Sequence, residues 1–399
     1  MLTGKKIVLG ISGGIAAYKM ANVASMLVKL NAEVHVVMTE NATHFITPET
    51  FEVLTNNRCY VDTFDRSMEI HVPHVTLGST ADAFLIAPAT ADVIGKIANG
   101  IADDMLTTTV LPAKCPVLIA PSMNVNMYEN KIVQDNIKKL ASYGYEIIEA
   151  EEGFLACRVS GKGKLPNEAV LVDYILKACA KEKDLAGKNV LVTAGATMEA
   201  IDPVRFITNH STGKMGYAVA RMAMLRGANV TLVTGNASVE PPLFVDVKKV
   251  TSAKEMYDTV TALSDNQDII VKAAAVADYR PKTVADEKIK KNDASMSIEL
   301  EKTDDILLEL GKKRKDNQYI CGFSMETENM IKNSKKKLEK KNVDMIAANN
   351  LKVEGAGFGT DTNVMTLITK DDVVALPIMS KESVADKILD EIVKKINKK

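Results

Sequence analysis

A glycine-rich turn after the first apolar run has the residue types of an anion-binding site. The run KIVLGI leads into Gly10-Ile11-Ser12-Gly13-Gly14, and a segment with helical periodicity follows. A glycine turn between a strand and a helix points backbone N–H groups and the helix N-terminus at an anion, usually a phosphate. The pattern predicts a phosphate-binding turn, and a plain tight turn is the alternative that it leaves open.

The ends of the second strands indicate which phosphate-bearing ligand would fit. An NAD site reads GxGxxG and has an acidic residue at the end of its second strand, where it binds the ribose. Here the second strand ends in Met38-Thr39 in the first half and in Thr234-Gly235 in the second. Both positions argue against NAD and leave flavin mononucleotide (FMN) or a phosphorylated substrate.

Two other motifs lack a residue that their chemistry needs. The stretch Ser-Thr-Gly213-Lys214-Met215 would form a P-loop only with glycine at 208 and serine or threonine at 215, where Thr208 and Met215 stand. His71-Val-Pro-His74 has HxxH spacing, but no third ligand follows at a recognisable spacing. The sequence therefore predicts neither a Walker-type site nor a zinc site.

Short apolar runs alternate with helical stretches in both halves and would position these residues. The first half contains KIVLGI, EVHVVMT, AFLIAPA and CPVLIAPS, and the second contains NVLVTAG, NVTLVTG and DIIVKAAAV. This alternation predicts parallel sheets with helices on both faces. The lysine-rich stretch KACAKEKDLAGK separates the halves. We expect two doubly wound, Rossmann-like α/β domains, residues 1–183 and 184–399.

Composition excludes several classes of protein. A chain of 399 residues fits two domains, and its net charge of −1 argues against a nucleic-acid binder. No apolar run approaches the roughly 18 residues of a membrane span, and glycine and serine interrupt the N-terminal run too early for a signal peptide. Five scattered cysteines without CxxC spacing favour a reducing cytoplasm. We expect a cytoplasmic enzyme without nucleic-acid or membrane partners.

Three stretches of the first half carry a resemblance to a known family. They are APATADVIGKIANGIADDMLTTT (87–109), APSMNVNMY (120–128) and ACRVSGKGKLP (156–166). Over about residues 4–180 the chain resembles the flavin-dependent cysteine decarboxylases, in particular phosphopantothenoylcysteine decarboxylase. The resemblance implies a flavodoxin-like Rossmann variant that forms trimers with FMN near the subunit interface. The implied FMN-binding residues are Gly10, Ser12, Gly13, Gly14, Thr39, Ala87, Pro88 and Thr90.

The same resemblance implies roles in decarboxylation. Cys157, in a flap over the substrate, would donate the final proton, and His74 would act on the thiol or carboxylate of the substrate. Asn124, with its neighbour Met123, would bind the substrate carboxylate. The flap departs from the family pattern, because Arg158 stands where glycine is usual and Lys164 where arginine is usual. We expect these changes to affect efficiency more than the type of reaction.

The second half resembles phosphopantothenate–cysteine ligase from about residue 186 to the C-terminus. The resemblance rests on LVTAGATMEAIDPVRFITNHSTGKMG (191–216), AAAVADYRP (273–281), EKIKK (287–291) and GFSMETEN (322–329). It implies activation of the 4'-phosphopantothenate carboxylate by CTP to an acyl-cytidylate, with Mg²⁺ on the triphosphate, followed by attack of cysteine. Asn209 would process the acyl-cytidylate, and Arg205 would bind substrate. The implied CTP-binding residues are Asp278, Lys288, Asp304, Asp305, Ile306, Leu307, Phe323, Lys337 and Lys341.

Taken together, the two resemblances imply a bifunctional enzyme of coenzyme A synthesis. The ligase half would make phosphopantothenoylcysteine, and the decarboxylase half would convert it to 4'-phosphopantetheine. Trimers of the first domain and dimers of the second imply a homo-oligomer as large as a dodecamer. Two alternatives remain open: a flavoprotein that modifies other prenyl or peptide substrates, and a non-catalytic regulatory subunit.

Overall fold

The computed structural model describes residues 1–65, 72–154, 158–290, 296–326, 329–350 and 360–396. It divides the chain into two compact units, Met1–Lys181 (unit 1) and Glu182–Lys399 (unit 2). In each unit, short buried strands form a sheet that helices cover. The α/β fold expected from the alternating apolar runs is confirmed.

Unit 1 is organised around a sheet of parallel strands. They are Lys6–Ile11 (β1), Glu33–Met38 (β2), Cys59–Tyr60 (β3), Ala83–Ala89 (β4), Val117–Pro121 (β5) and Glu146–Ile147 (β6). Their spatial order is β3-β2-β1-β4-β5-β6. Every residue of β4 is buried, as expected for a parallel strand with helices on both faces. An antiparallel hairpin, Glu151–Phe154 (β7) and Ser160–Lys164 (β8), lies outside this sheet.

The helices of unit 1 bury one apolar face each. They are Met20–Lys29 (α1), Pro48–Thr55 (α2), Pro73–Thr80 (α3), Ala91–Ala98 (α4), Met105–Val110 (α5), Val125–Tyr128 (α6), Lys131–Ser142 (α7) and Glu168–Cys179 (α8). In α1 the buried residues are Met20, Val23, Ala24 and Leu27, the spacing of one helix face. A 3₁₀ helix, Ile15–Lys19, precedes α1 where the sequence predicted one continuous helix.

Unit 2 has a larger, mixed sheet. Its strands are Asn189–Ala194 (β9), Met198–Ala200 (β10), Phe206–Thr208 (β11), Asn229–Thr234 (β12), Asp246–Lys249 (β13), Ile269–Lys272 (β14), Tyr279–Pro281 (β15), Leu300–Lys302 (β16), Tyr319–Glu326 (β17), Met345–Asn350 (β18), Thr362–Asn363 (β19), Met365–Thr369 (β20), Val373–Ala375 (β21) and Met379–Ser380 (β22). The main sheet has the order β13-β12-β9-β14-β17-β18-β20-β21, and the last two strands are antiparallel. The remaining strands form small hairpins.

Helices pack on this second sheet in the same way. They are Lys214–Leu225 (α9), Ala253–Leu263 (α10), Ile306–Lys313 (α11), Met330–Lys341 (α12) and Lys381–Ile396 (α13). α9 follows β9 and is buried along most of its length, since it packs on both β9 and α13. No helix in the described parts of the chain is long and apolar enough to cross a membrane.

Both parallel cores have the strand order of the Rossmann fold. In unit 1 the order is 3-2-1-4-5-6, and without the two-residue edge strand β3 it becomes, renumbered, the flavodoxin order 2-1-3-4-5. In unit 2 the parallel strands follow the same scheme when the small hairpins are left out. In such sheets ligands bind outside the carboxyl ends of the strands, where the strand order reverses. That point lies between β1 and β4 in unit 1 and between β9 and β14 in unit 2.

Candidate functional site

In unit 1 the Ser12 side chain joins the loops that follow β1 and β4. Its hydroxyl donates to the Pro88 carbonyl at 2.6 Å and accepts a hydrogen bond from the Thr90 amide at 3.0 Å. Ser12 is fully buried, so protein atoms already engage its hydroxyl. Ser12 therefore fixes the shape of the reversal point, and its side chain has a structural role there beside any contact with a ligand.

The glycines of the first turn meet different surroundings. A Cβ on Gly10 would lie 2.4 Å from Leu106 Cδ1, and one on Gly13 would lie 2.6 Å from Asn41 Cβ. Packing requires glycine at both positions, because neighbouring atoms approach too closely for a side chain. A Cβ on Gly14 would lie 3.6 Å from the nearest atom. Protein packing therefore leaves room for a side chain at Gly14.

Two threonines hold the loops after β2 and β4. Thr39 Oγ1 accepts a hydrogen bond from the Ala42 amide at 3.3 Å, and Thr90 Oγ1 accepts one from the Val93 amide at 3.4 Å. The Thr39 amide also donates to the Ile11 carbonyl at 3.0 Å. All the residues predicted to bind FMN thus lie in β1, in β4 or in the loops that follow β1, β2 and β4. None of their side chains carries a charge.

His74 is the second residue of α3, and its side chain is half-buried. Its Nδ1 atom is buried and has no hydrogen-bond partner in the protein. Helix α3 packs closely against α5, because a Cβ on Gly78 would lie 2.5 Å from the Thr109 carbonyl oxygen. A buried polar atom without a partner costs about 1–3 kcal/mol, so a ligand group that bonds to Nδ1 would recover that cost. His71 lies outside the described residues.

The predicted substrate-binding segment meets the β7–β8 hairpin. Asn124 caps α6, where its Oδ1 accepts a hydrogen bond from the Asn126 amide at 2.9 Å. The amide of Met123 donates to the Gly163 carbonyl at 3.0 Å, and a Cβ on Gly163 would lie 2.5 Å from the Met123 oxygen. The described arms of the predicted flap therefore lie directly on the Met123-Asn124 segment.

Cys157 lies outside the described residues, but the flap residue after it does not. Arg158 has a φ of 64°, in the left-handed region. Glycine adopts this conformation without a steric cost, whereas other L-residues pay one. This conformation gives a physical reason for glycine at the position, and it shows that Arg158 strains the flap.

The flap lysines are not isolated cations. Lys162 Nζ lies 3.0 Å from a Glu149 carboxylate oxygen, and Lys164 Nζ lies 3.6 Å from one of Glu151. The pairing with Glu149 raises the pKa of Lys162 above its ordinary value. The positive charge of the flap is therefore partly neutralised within the hairpin.

In unit 2 a cavity of about 500 Å³ opens at the carboxyl ends of β14 and β17. It is lined by Lys272, Val276, Ala277, Asp278, Tyr279, Lys302, Thr303, Asp304, Asp305, Ile306, Leu307, Phe323, Lys337 and Lys341. Of the residues predicted to bind CTP, the structure brings together all except Lys288. A concave site with convergent charged groups is the usual form of a small-molecule site.

The segment 304–307, whose residues are all among those predicted to bind CTP, forms the start of a helix. Asp305 caps α11 by accepting a hydrogen bond from the Leu308 amide at 3.0 Å, and Ile306 and Leu307 are its first, buried residues. An aspartate before an apolar run is a helix-start signal, so the sequence did contain this information. The positive end of the α11 dipole consequently faces the cavity.

Helix α12 supplies two of the cavity's cations from one face. Lys337 Nζ donates to the Phe323 carbonyl at 3.2 Å, and Lys341 forms an ion pair with Asp305. Burial alone would raise the pKa of Asp305, but the Lys341 ammonium outweighs it and holds the pKa below its usual value. Lys337 and Lys341 are four residues apart, so they lie on the same face of α12.

Two cavity lysines escaped the sequence analysis. Lys272 ends β14, and Lys302 ends β16. Burial, together with the Lys337 ammonium, lowers the pKa of Lys272 to about 8. A lysine directly after the apolar run DIIV was the available signal, because parallel strands place their ligand-binding residues at their carboxyl ends.

Three predicted ligase residues lie away from the cavity lining. Asn209 is exposed, and its Nδ2 donates to the Ala275 carbonyl at 3.2 Å, so it contacts the turn between β14 and Asp278. Lys288 is exposed and does not reach the cavity wall. The third residue, Arg205, is engaged within the protein.

Arg205 neutralises a buried carboxylate. Its Nε donates to Asp202 at 2.9 Å, and its Nη2 donates to the Ile289 carbonyl at 3.0 Å. The Asp202 side chain is fully buried, and the Arg205 guanidinium holds its pKa below the usual range. Arg205 therefore has a structural function, because it ties the 202–205 loop to residue 289.

Among the described residues, no group of three or more histidine, cysteine, aspartate or glutamate side chains could hold a metal ion. The sequence prediction of no zinc site concerned His71 as well, which is not described.

Family models match both units. The model described as flavoprotein matches residues 1–180, and the model described as DNA/pantothenate metabolism flavoprotein C-terminal domain matches residues 185–396.

Individual proteins resemble the chain over its whole length. The coenzyme A biosynthesis bifunctional protein CoaBC of Bacillus subtilis (strain 168) is 49% identical over 98% of this chain and 97% of that protein. CoaBC of Escherichia coli (strain K12) is 40% identical over 100% of this chain and 99% of that protein. A crystal structure of the C-terminal domain of CoaBC is 43% identical with a TM-score of 0.47, and it covers 55% of this chain and 100% of that chain.

Proposed function

The chain belongs to the family of bifunctional coenzyme A biosynthesis proteins, and from this premise we propose how its two units divide the chemistry. It is a flavoprotein enzyme with a decarboxylase and a ligase activity. We assign ligation of cysteine to 4'-phosphopantothenate to unit 2 and decarboxylation of phosphopantothenoylcysteine to unit 1. The product of unit 2 is then the substrate of unit 1.

The charged cavity of unit 2 is the observation that carries the ligase proposal. In the first step, the phosphopantothenate carboxylate attacks the α-phosphorus of CTP. The new acyl O–P bond forms as pyrophosphate leaves with the electron pair of the broken P–O bond. Lys337, Lys341 and the N-terminus of α11 would stabilise the negative charge that gathers there. Mg²⁺, carried mainly by the triphosphate, would add to this stabilisation.

In the second step, the cysteine amine attacks the acyl carbon of the acyl-cytidylate. CMP leaves with the electron pair of the acyl C–O bond, and the amine nitrogen gives up one proton to water as the amide forms. Asn209, which is tied to the turn after β14 through Ala275, is placed to bind the acyl-cytidylate beside the cavity. We assign Lys288 a contact with the nucleotide only if the exposed 282–290 segment moves toward the cavity.

The loops at the reversal point of unit 1 fit FMN. They offer backbone groups and hydroxyls, Thr39 rather than a carboxylate directly after β2, and room beside Gly14 for a ligand to approach the main chain. A bound FMN, held by these loops, would supply a reversible hydride acceptor for the thiol-bearing carbon of the substrate. The unpartnered Nδ1 of His74 would accept the thiol proton or bind the carboxylate.

Two further residues of unit 1 would act on the same substrate. The side-chain NH₂ group of Asn124 would donate to the substrate carboxylate, because an amide binds a carboxylate without adding charge. Cys157 would supply the last proton from the flap that lies on Met123 and Asn124. Met123 would form part of the wall beneath the flap.

Oxygen-18 labelling tests the ligase proposal. Phosphopantothenate labelled in its carboxylate is incubated with the full chain, cysteine, CTP and Mg²⁺. An acyl-cytidylate transfers one labelled oxygen to CMP, which mass spectrometry detects. Labelled inorganic phosphate together with CDP would show an acyl phosphate instead, and would contradict the proposal. The same assay with ATP replacing CTP measures nucleotide preference, which we expect to favour CTP.

Extraction of the cofactor tests the proposal for unit 1. The purified chain should be yellow and release about one FMN per chain on denaturation. Chromatography separates FMN from FAD and riboflavin, and a protein that holds FAD, or takes up no flavin at all, would contradict the assignment.

We also propose a homo-oligomer in which unit 1 forms trimers and unit 2 forms dimers, working in the cytoplasm. The described cysteines Cys59, Cys115, Cys179 and Cys321 form no disulfide bond, which agrees with a reducing compartment. Native mass spectrometry of the full chain would test the assembly, and a dodecamer is the largest species expected.

A further inference from the structure

Lys272 occupies the reversal point of the unit 2 sheet. It is the last residue of β14 and lines the 500 Å³ cavity together with Lys337, Lys341 and Asp305. Its Nζ donates to the Ala274 carbonyl at a long 3.3 Å. An ammonium group has three donors, so this single contact does not account for its hydrogen-bonding capacity.

Charged groups of both signs face Lys272 from the elements around it. Helix α12 presents Lys337 and Lys341, the start of α11 presents Asp304 and Asp305, the loop after β14 presents Asp278, and β16 presents Lys302. Lys341 is paired with Asp305. Lys272 thus lies in a site where one neighbouring carboxylate is already shared with another lysine.

We propose that Lys272 binds the phosphates of the nucleotide as an ammonium group, and that nucleotide binding above neutral pH draws a proton onto it. This inference rests on the proposed binding of a nucleoside triphosphate in the same cavity. It adds a phosphate-binding residue to the ligase and makes the affinity for the nucleotide depend on pH.

The expected pH dependence arises because the pKa of Lys272 differs between the free protein and the protein with bound nucleotide. In the free protein, burial and Lys337 lower the pKa of Lys272 to about 8. A triphosphate brings negative charge next to the ammonium and favours its protonated form, which raises that pKa. The favourable interaction is fully present below the pKa of the free protein. It is lost as the pH rises further, because a proton must then be taken up on binding.

Calorimetry on the full chain tests this proposal. CTP with Mg²⁺ is titrated at about pH 7, 8 and 9, which bracket the pKa, in buffers that differ in ionisation enthalpy. The wild-type protein should take up part of a proton at and above pH 8, and its affinity should fall with rising pH. Lys272→Met should bind CTP about 10- to 100-fold more weakly at pH 7 and lose this part of the pH dependence.

Two variants and one ligand separate this role from a structural one. Lys272→Arg should restore CTP affinity without the proton uptake, since arginine stays charged over this range. Lys312→Met, on the exposed face of α11, should behave as wild type. Cytidine, which lacks phosphates, should bind wild type and Lys272→Met equally well.

The outcomes distinguish this inference from the proposed function. CTP binding without proton uptake, or with an unchanged affinity in Lys272→Met, would overturn the role of Lys272 alone. An equal loss of cytidine and CTP affinity, with no recovery in Lys272→Arg, would also overturn it. A wild-type protein that binds no nucleotide would instead overturn the proposed function.

Discussion

In unit 1, β1 and β4 lead into loops held together by the buried hydroxyl of Ser12, whereas in unit 2 a cavity lined by lysines and aspartates opens at the carboxyl ends of β14 and β17. The two parallel cores have the same strand order, and both sites lie at the carboxyl ends of central strands. The residues that follow the strands, however, share almost no chemistry.

Topology therefore determines where in the fold a site lies, whereas the residues of the loops determine its chemistry. The loops of unit 1 use backbone groups and hydroxyls that already have protein partners, and none of the side chains predicted to bind FMN is charged. In the cavity of unit 2, burial and the Lys337 ammonium lower the pKa of Lys272, and an anion bound there would favour the charged form of Lys272. A change in either set should therefore affect one activity and spare the other.

The largest expected effect comes from removing the unpartnered imidazole of unit 1. His74→Asn should slow decarboxylation about 10²- to 10⁴-fold, the usual contribution of a general acid–base group. CO₂ release from supplied phosphopantothenoylcysteine measures this, and pyrophosphate release by the ligase should be unchanged. Flavin absorbance serves as the control for folding. A parallel fall in the ligation rate would contradict the assignment of the two activities to separate units.

The matching test in unit 2 removes a cavity cation. Lys337→Met should lower the ligation rate about 10- to 100-fold, because a charged hydrogen bond to the nucleotide is lost. Its neighbour Lys336 is exposed on the same helix, so Lys336→Met is the matched control and should ligate normally. Equal losses of the ligation rate in both variants would mean that the substitutions disturb helix α12 and not the cavity. Decarboxylation should remain intact in each variant.

A smaller effect separates packing from ligand contact in the glycine turn. Gly13→Ala places a Cβ 2.6 Å from Asn41 and should destabilise unit 1 by about 1–3 kcal/mol, the usual cost of overpacking. Gly14→Ala has room in the protein and should leave the stability of the flavin-free chain unchanged while reducing bound flavin. Thermal unfolding with and without added FMN measures both. Equal stability losses would assign Gly14 to packing as well.

The smallest effect concerns the strained flap. Arg158→Gly should relieve a left-handed conformation and stabilise the closed hairpin by about 1 kcal/mol. Protease cleavage within residues 151–164 should slow by a corresponding factor of about five. Arg158→Lys retains the backbone strain and should be cleaved as fast as the wild type. Faster cleavage of the glycine variant would mean that the Arg158 side chain itself holds the flap.

Local patterns in the sequence were sufficient for the fold and for part of the sites. The apolar runs predicted the buried strands, and the i, i+4 spacing of Lys337 and Lys341 placed both on one face of α12. The turn at residues 10–14 and the uncharged end of β2 also follow from neighbouring residues alone. These features depend on helix and strand periods, which operate within a few residues.

Other features needed contacts between distant segments. Ser12 bonds to Pro88, and Asn209 bonds to Ala275. Arg205 matched a family substrate position, yet its guanidinium holds Asp202 and the Ile289 carbonyl. The periodicity of a single helix or strand does not show which side chain will contact a buried carboxylate in the folded protein.

Patterns in the sequence indicated two doubly wound domains, their glycine turns and, through the family resemblance, most of the residues that line the cavity of unit 2. The environment of each side chain, in contrast, follows from the tertiary structure. In the sequence, Lys272 stands at the end of an apolar run. In the folded unit its pKa is lowered, because β14, α11 and α12 meet around it. Local periodicity determines the direction in which a side chain points from its helix or strand. The burial of that side chain and the charges around it depend on which elements pack together across the whole unit.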